Sequence, residues 1–254
     1  MERITSVQNN KVKQTAALKD AKARKATGLF IAEGKKLVSE LIRCGITPVR
    51  CFIREGTKPP LDIGECEVFE VTDTVMKKMS TLTTPQDIIA VAKEPEKHET
   101  QQENFIIALD GIQDPLNMGA ILRSAEAFGV KTVVTGSTCA DPYSPKTLRG
   151  AMGSVFRLNI LTRDLKEYLT EKKSQGFCII GTGLDKSYVT VDKLCNWQKK
   201  VAVIGSEGRG ISLEIRDVCD MGMFIPMDGQ NESLNAAVAA SIIMWENQRQ
   251  NNGQ

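Results

Sequence analysis

Three stretches of the chain hold residue types that could bind a ligand and move a group onto it. In LDGIQDPLNMGAILRSAEAFGV, residues 109–130, Asp114-Pro115 should turn the chain. Asn117 is expected to cap the helix that follows, through its side-chain oxygen. Met118, Ile121, Leu122, Ala125 and Phe128 recur at helical spacing as a buried stripe. Arg123 falls off that stripe, three residues before Glu126, a spacing that reads as an exposed intrahelical pair. Six residues separate Asn117 from Arg123, about 240° around a helix, so the two can converge only if Asn117 stands outside the helix and is swung round by the turn.

The second stretch, VAVIGSEGRGIS at 201–212, delivers a strand into a turn holding Gly205, Gly208 and Gly210. Backbone N–H groups in such a turn can come close to a ligand. The order G-x-x-G-x-G is neither the dinucleotide fingerprint nor a phosphate-binding P-loop. Glu207 inside it would repel phosphate and suits a cationic or hydroxyl-bearing ligand. A plain strand–helix connector fits the isolated loop equally well. The third stretch, MFIPMDGQNESLNAAVAASIIMWENQ at 223–248, breaks at Pro226 and Gly229. It then runs through Ser233-Leu234-Asn235 into an alanine-rich apolar helix, with Ser233 or Asn235 a cap or a site residue.

The elements that must place these loops are legible as runs. FIIALDG, TVVTG, FCIIGTG, KVAVIG and MGMFIPM are short apolar segments, each followed by a glycine- or proline-marked turn, with helical stretches between several of them. That texture predicts a parallel sheet covered on both faces, with ligands beyond the carboxyl ends of its strands. Before it, residues 7–27 predict one basic amphipathic helix. FIAEGKKLVSELIRCG predicts a strand and a helix ending at Gly45. VRCFI, ECEVFEVT and DIIAVAK read as strands, with a helix at Asp73–Met79. The expected organisation is therefore an α/β chain: a small N-terminal domain over 1–95, a polar linker over 96–104 containing His98, and a larger domain over 105–254.

Composition excludes several classes. The polar start MERITSVQNNKVK has no apolar core for a secretory leader, and no apolar run is long enough to span a bilayer. Seven scattered cysteines, odd in number and without a C-x-x-C pair, together with one histidine leave little to build a zinc site from. A reducing cytoplasm is expected, with no metal. Residues 1–58 carry 13 Lys and Arg against 5 Asp and Glu. Such an excess attracts phosphate backbones, although a solvated helix face accounts for it too.

Taken together, N-x-G-x-x-x-R at 117–123, G-S-E-G-x-G at 205–210 and I-P-M…S-L-N at 225–235 occur in that order, each after a strand. This pattern resembles the three signature motifs of the TrmH/SpoU family of RNA 2′-O-methyltransferases, of the knotted SPOUT class. The likeness extends to DPYSPKTLRGAMGSVFRL, and to SVQNNKVKQ and FIAEGKKLVSELI, which resemble the family's ribosomal-protein-like substrate-binding domain.

The resemblance implies a C-terminal trefoil knot, a homodimer, and S-adenosylmethionine held by Gly205, Ile225 and Leu234, with Thr182 beside them. It implies catalytic roles for Arg123, Asn117, Glu207, Ser233 and Asn235, and RNA contacts from Arg123 and Arg149. Arg123's counterpart would be the base. Because a guanidinium pKa lies above about 12, a phosphate contact and stabilisation of the incipient alkoxide suit Arg123 better. The N-terminal module favours ribosomal RNA as substrate. Transfer RNA, or a non-catalytic ribosome-assembly role on the same fold, are the other readings.

Overall fold

The computed structural model describes residues 1–58, 63–96, 103–228 and 233–252. Most of the expected 96–104 linker, including His98, lies outside them, as does Gly229. The chain forms two compact units, the first comprising Met1–Glu96 and Tyr143–Phe156 and the second the remaining described chain.

The first unit opens with β1 (Glu2–Ile4), α1 (Asn10–Ala17), α2 (Ala21–Thr27), β2 (Leu29–Glu33) and α3 (Lys35–Arg43). β3 (Arg50–Arg54), β4 (Glu67–Val71), α4 (Asp73–Met79) and β5 (Ile88–Lys93) follow. Its five-stranded sheet runs β1-β4-β3-β5-β2, with β5 antiparallel to both neighbours. Phe52, Ile31, Ile89 and Met76 lie in one buried cluster there. The single helix expected over 7–27 is two. The buried Arg24 guanidinium donates to the carbonyls of Leu18 and Lys19 at 2.8 Å, satisfying the end of α1 and so allowing the chain to turn.

The second unit begins with β6 (Phe105–Asp110), α5 (Pro115–Ala127) and β7 (Thr132–Thr135). The chain then contributes α6 (Pro145–Ala151) to the first unit, where Phe30 packs against Tyr143 and Phe156 at centroid distances of 5.2 and 5.8 Å. Residues 143–156, expected with the C-terminal domain, thus count with the N-terminal one. A local sequence pattern does not reveal such a return. β8 (Asn159–Thr162), α7 (Leu165–Ser174), β9 (Cys178–Thr182), β10 (Val189–Thr190) and β11 (Lys200–Gly205) come next. α8 (Leu213–Arg216), β12 (Met221–Phe224) and α9 (Ala236–Asn252) complete the unit.

All strand pairs of the second sheet are parallel, in the order β10-β12-β9-β11-β6-β7-β8. The chain steps outward from β6 to β8, crosses back to β9, inserts β11 beside β6 and lays β12 outside β9. Such a reversal opens a crevice beyond the carboxyl ends of the strands. Ala108, Val134, Leu161, Ile179 and Val203 are buried together, which explains the near-continuous apolar character of these strands.

Candidate active site

The carboxyl ends of β9, β11 and β12 open into a cavity of about 630 Å³. Thr182, the last residue of β9, lines it while its hydroxyl donates to the Val203 carbonyl at 2.9 Å. Gly205, Glu207, Ile225, Ser233 and Leu234 line it as well. Its walls are aliphatic at Ile204, Ile225, Leu234 and Ile243, and backbone polar groups come from the 205–210 turn. A pocket of that size and make-up suits a nucleoside-sized ligand with a few polar edges.

Gly205 is required by packing rather than by backbone conformation. A Cβ there would stand 2.1 Å from Gly210 C and 2.3 Å from Ile211 N. The turn folds back because Ser206 and Gly210 exchange backbone hydrogen bonds of 3.1 and 2.8 Å, with Gly210 at φ +65°. Three residues then separate Ser206 from Gly210, and Glu207 projects from this tight turn toward the other two loops.

Those loops meet at the Glu207 carboxylate. Its Oε1 accepts from Asn117 Nδ2 at 3.0 Å, from the Ala236 N–H at 3.2 Å and from Asn235 Nδ2. Asn235 Nδ2 also donates to Asn117 Oδ1 at 3.0 Å. Asn235 Oδ1 accepts from the N–H groups of Ala237 and Val238 at 2.9 and 3.3 Å. Asn235 is therefore both the cap of α9 and a member of the cluster. Glu207 supplies a second cap, and its negative charge sits well at a helix N-terminus.

Glu207→Ala would strand these three donors beside water, so the expected cost is about 1–2 kcal/mol. Glu207→Gln keeps an acceptor oxygen and should lose less than half as much. Thermal unfolding of the two variants measures this, and equal melting temperatures for wild type and Glu207→Ala would mean the cluster does not hold the loops.

Two expectations about α5 fail. Asn117 lies within the helix, whose cap is Asp114, with its carboxylate accepting from the Leu116 N–H at 3.0 Å. Proline at the first helical position starts the helix two residues earlier than Asn117. Nor does Glu126 pair with Arg123. It pairs with Arg157, whose Nε lies 2.6 Å from Oε1.

Arg123 itself is exposed, has no hydrogen bond or ion pair among the described residues, and is not among the residues lining the cavity. The helical geometry accounts for this: with Asn117 inside α5, Arg123 points about 240° away from it. Within one chain the cluster gathers Asn117, Glu207 and Asn235, with Ser233 on the cavity wall, and leaves Arg123 out. Arg149 belongs to the other compact unit, where its Nη1 donates to Thr81 Oγ1 at 3.1 Å.

The sequence reading missed several lining residues. Tyr188 and Asp185, in the loop after β9, border the cavity. The Ser187 N–H and hydroxyl hold the Asp185 carboxyl below the usual carboxylate range. Cys219 borders it too, its thiol pushed up to about 11, chiefly by burial and further by Asp220, so it is neutral at physiological pH. The loop 206–210 also borders a second cavity of about 670 Å³, reached by Asp110, Asp114, Asp164 and Lys166. Asp110 there accepts from the Ser212 N–H at 2.7 Å. Asp185, Tyr188 and Cys219 belong to no periodic or glycine-marked pattern, so only their assembly draws attention to them. Among the described residues, no group of three or more His, Cys, Asp or Glu could hold a metal ion. None of the described helices is long and apolar enough to cross a membrane.

Comparison with known proteins supplies the chemical context. Residues 104–245 match the model of the SpoU rRNA Methylase family, and residues 9–90 match the MRM3-like substrate binding domain. The 23S rRNA (guanosine(2553)-2'-O)-methyltransferase RlmP of Bacillus subtilis is 31% identical over 246 residues, spanning 96% of this chain and 98% of the relative. The AdoMet-bound rRNA methyltransferase from Sinorhizobium meliloti superposes with a TM-score of 0.87 at 26% identity, covering 98% of both chains. The SpoU methyltransferase AviRb from Streptomyces viridochromogenes, in complex with the cofactor AdoMet, gives a TM-score of 0.85 at 25% identity, covering 96% of this chain and 99% of that one. A sheet that reverses at β6, three loops joined at Glu207 and a match over more than half its length make this chain a member of the SpoU rRNA methylase family.

Proposed function

We propose that this chain methylates a ribose 2′-hydroxyl of ribosomal RNA using S-adenosylmethionine. The observation that carries the reading is the junction of three loops at Glu207, on the rim of a nucleoside-sized, partly aliphatic cavity. When bound there, S-adenosylmethionine supplies an electrophilic methyl group. That methyl group would pass to the ribose 2′-oxygen, whose proton would go to a base or to solvent, with S-adenosylhomocysteine as the other product. Gly205, Ile225 and Leu234, with Thr182, hold the cofactor. Asn117, Glu207, Ser233 and Asn235 keep the loops in register around it. Arg123 binds the phosphate next to the target ribose and stabilises the charge developing on oxygen. Arg149, which packs with the first compact unit, contacts RNA, and we take 1–95 as the RNA-binding domain and 105–254 as the methyltransferase domain.

For Arg123 to reach a cofactor it must come from a second copy of the chain. Leu116, Ala120, Arg123 and Ala127 recur on one exposed face of α5, and Leu116 is 61% exposed. On α9, which packs against α5, Val238 and Trp245 are 47% and 48% exposed. An apolar surface with one unpaired cation in it supports a homodimer in which each protomer lends Arg123 to its partner's cavity. A trefoil knot in the 105–254 domain and a cytoplasmic site of action complete the reading. Ribosomal RNA is favoured over transfer RNA because a relative that matches along nearly its whole length, RlmP, carries a 23S rRNA name.

Mapping 2′-O-methylation across ribosomal and transfer RNA in a strain lacking the gene tests this directly. One ribosomal position should lose its mark, and purified protein should restore it in vitro with S-adenosylmethionine. A lost mark confined to transfer RNA would reassign the substrate. No lost mark and no transfer in vitro would favour a non-catalytic assembly protein.

A further inference from the structure

We infer that Tyr188 forms one wall of the cofactor pocket and contacts the adenosyl part of S-adenosylmethionine. This rests on the reading of the 630 Å³ cavity as the cofactor site. Its basis is the room made for one ring. A Cβ at Gly222, in β12, would stand 2.4 Å from Cγ, Cδ2 and Cε2 of Tyr188. A Cβ at Gly183, just past β9, would stand 2.8 Å from Cε2. β9 and β12 are paired neighbours, so the ring fills space that a side chain would otherwise take on two adjacent strands. Neither glycine has a positive φ, so turn conformation does not demand glycine at either position. The ring does.

The loop is built to deliver that ring. Asp185 Oδ1 accepts from the Ser187 N–H and hydroxyl at 2.9 and 2.7 Å, and the Tyr188 N–H donates to the Asp185 carbonyl at 3.0 Å. Immediately afterwards Val189 and Thr190 pair with Met223 and Phe224 of β12. Tyr188 is thus held by a closed turn on one side and a strand pair on the other. It is nevertheless only half-buried and lines the cavity with Ile225, Leu234 and Ile243. A fixed aromatic surface among aliphatic walls is what a purine ring packs against.

Titration calorimetry of the full chain with S-adenosylmethionine and S-adenosylhomocysteine tests the assignment. Tyr188→Phe should bind both within about twofold of wild type, whereas Tyr188→Ala should weaken both by about tenfold or more. The loss should be equal because the two ligands share the adenosyl group. Gly222→Ala, which displaces the ring without removing it, should weaken binding in the same direction. Tyr188→Leu, which keeps apolar bulk against the glycines, gives a folded comparison if Tyr188→Ala melts early, and it should also lose affinity.

Binding within about twofold of wild type by both Tyr188→Leu and Gly222→Ala would overturn the assignment. A loss seen with S-adenosylmethionine alone would also overturn it, since the ring would then be acting at the sulfonium. A wild-type protein that binds neither ligand would sink the cofactor reading itself, whatever Tyr188 does.

Discussion

Arg123→Ala is expected to lower methyl transfer by about 10²–10³-fold, the scale of losing a group that stabilises developing negative charge. Affinity for S-adenosylmethionine should stay within about twofold, because Arg123 does not line the cavity of its own chain in which we propose the cofactor binds. Arg123→Lys keeps a charge but loses the planar fork, and should fall between the two. The side chain is exposed and uncommitted, so folding should be unaffected. Turnover of Arg123→Ala at the wild-type rate on the correct RNA would remove Arg123 from the mechanism.

A mixture sharpens the test. Arg123→Ala and Gly205→Ala each disable a different half of the proposed composite site. Refolded together, they should recover about a quarter of wild-type activity, since half the dimers are mixed and each mixed dimer has one complete site. No recovery from a mixture shown to contain mixed dimers would mean that Arg123 works within its own chain.

Gly205→Ala should abolish cofactor binding, with at least about 100-fold weaker affinity, because its Cβ would lie 2.1 Å from backbone that cannot yield without opening the 206–210 turn. We expect a stability loss of about 1–3 kcal/mol as the turn rearranges to relieve the overlap. Gly208→Ala is the matched control, since nothing lies within 4 Å of a Cβ at that position. Calorimetry and thermal unfolding on the pair separate the two effects. Normal cofactor affinity in Gly205→Ala would show that this turn is not part of the pocket.

The parallel sheet was readable because a strand buried on both faces leaves a run of apolar residues ended by a turn, as Ile106–Leu109 and Val201–Ile204 do. Residues 7–27 read as one helix because Val12 and Ala16 recur at helical spacing among the lysines and no glycine or proline interrupts them. The break after Leu18 depends on Arg24 reaching back to carbonyls, a contact that periodicity does not encode. β10 is only two residues long and β1 is three, too short to carry alternation. The site was legible in its glycines and in the order of its three loops. Tyr188 was not, since its partners Gly183 and Gly222 are far apart in the chain and ordinary in composition.

Residue order by itself established that three loops, each following a strand, carry Asn117, Glu207 and Asn235, because strand and turn propensities are local and leave local marks. That these side chains share one carboxylate oxygen follows from the crossing of β11 and β12 back past β6, a long-range packing outcome. Asn117 lies inside α5, which turns Arg123 away from its own cavity. Spacing along the chain sets the angle between two helical side chains, but where the helix begins, which a proline and an aspartate settle here, sets what each one faces.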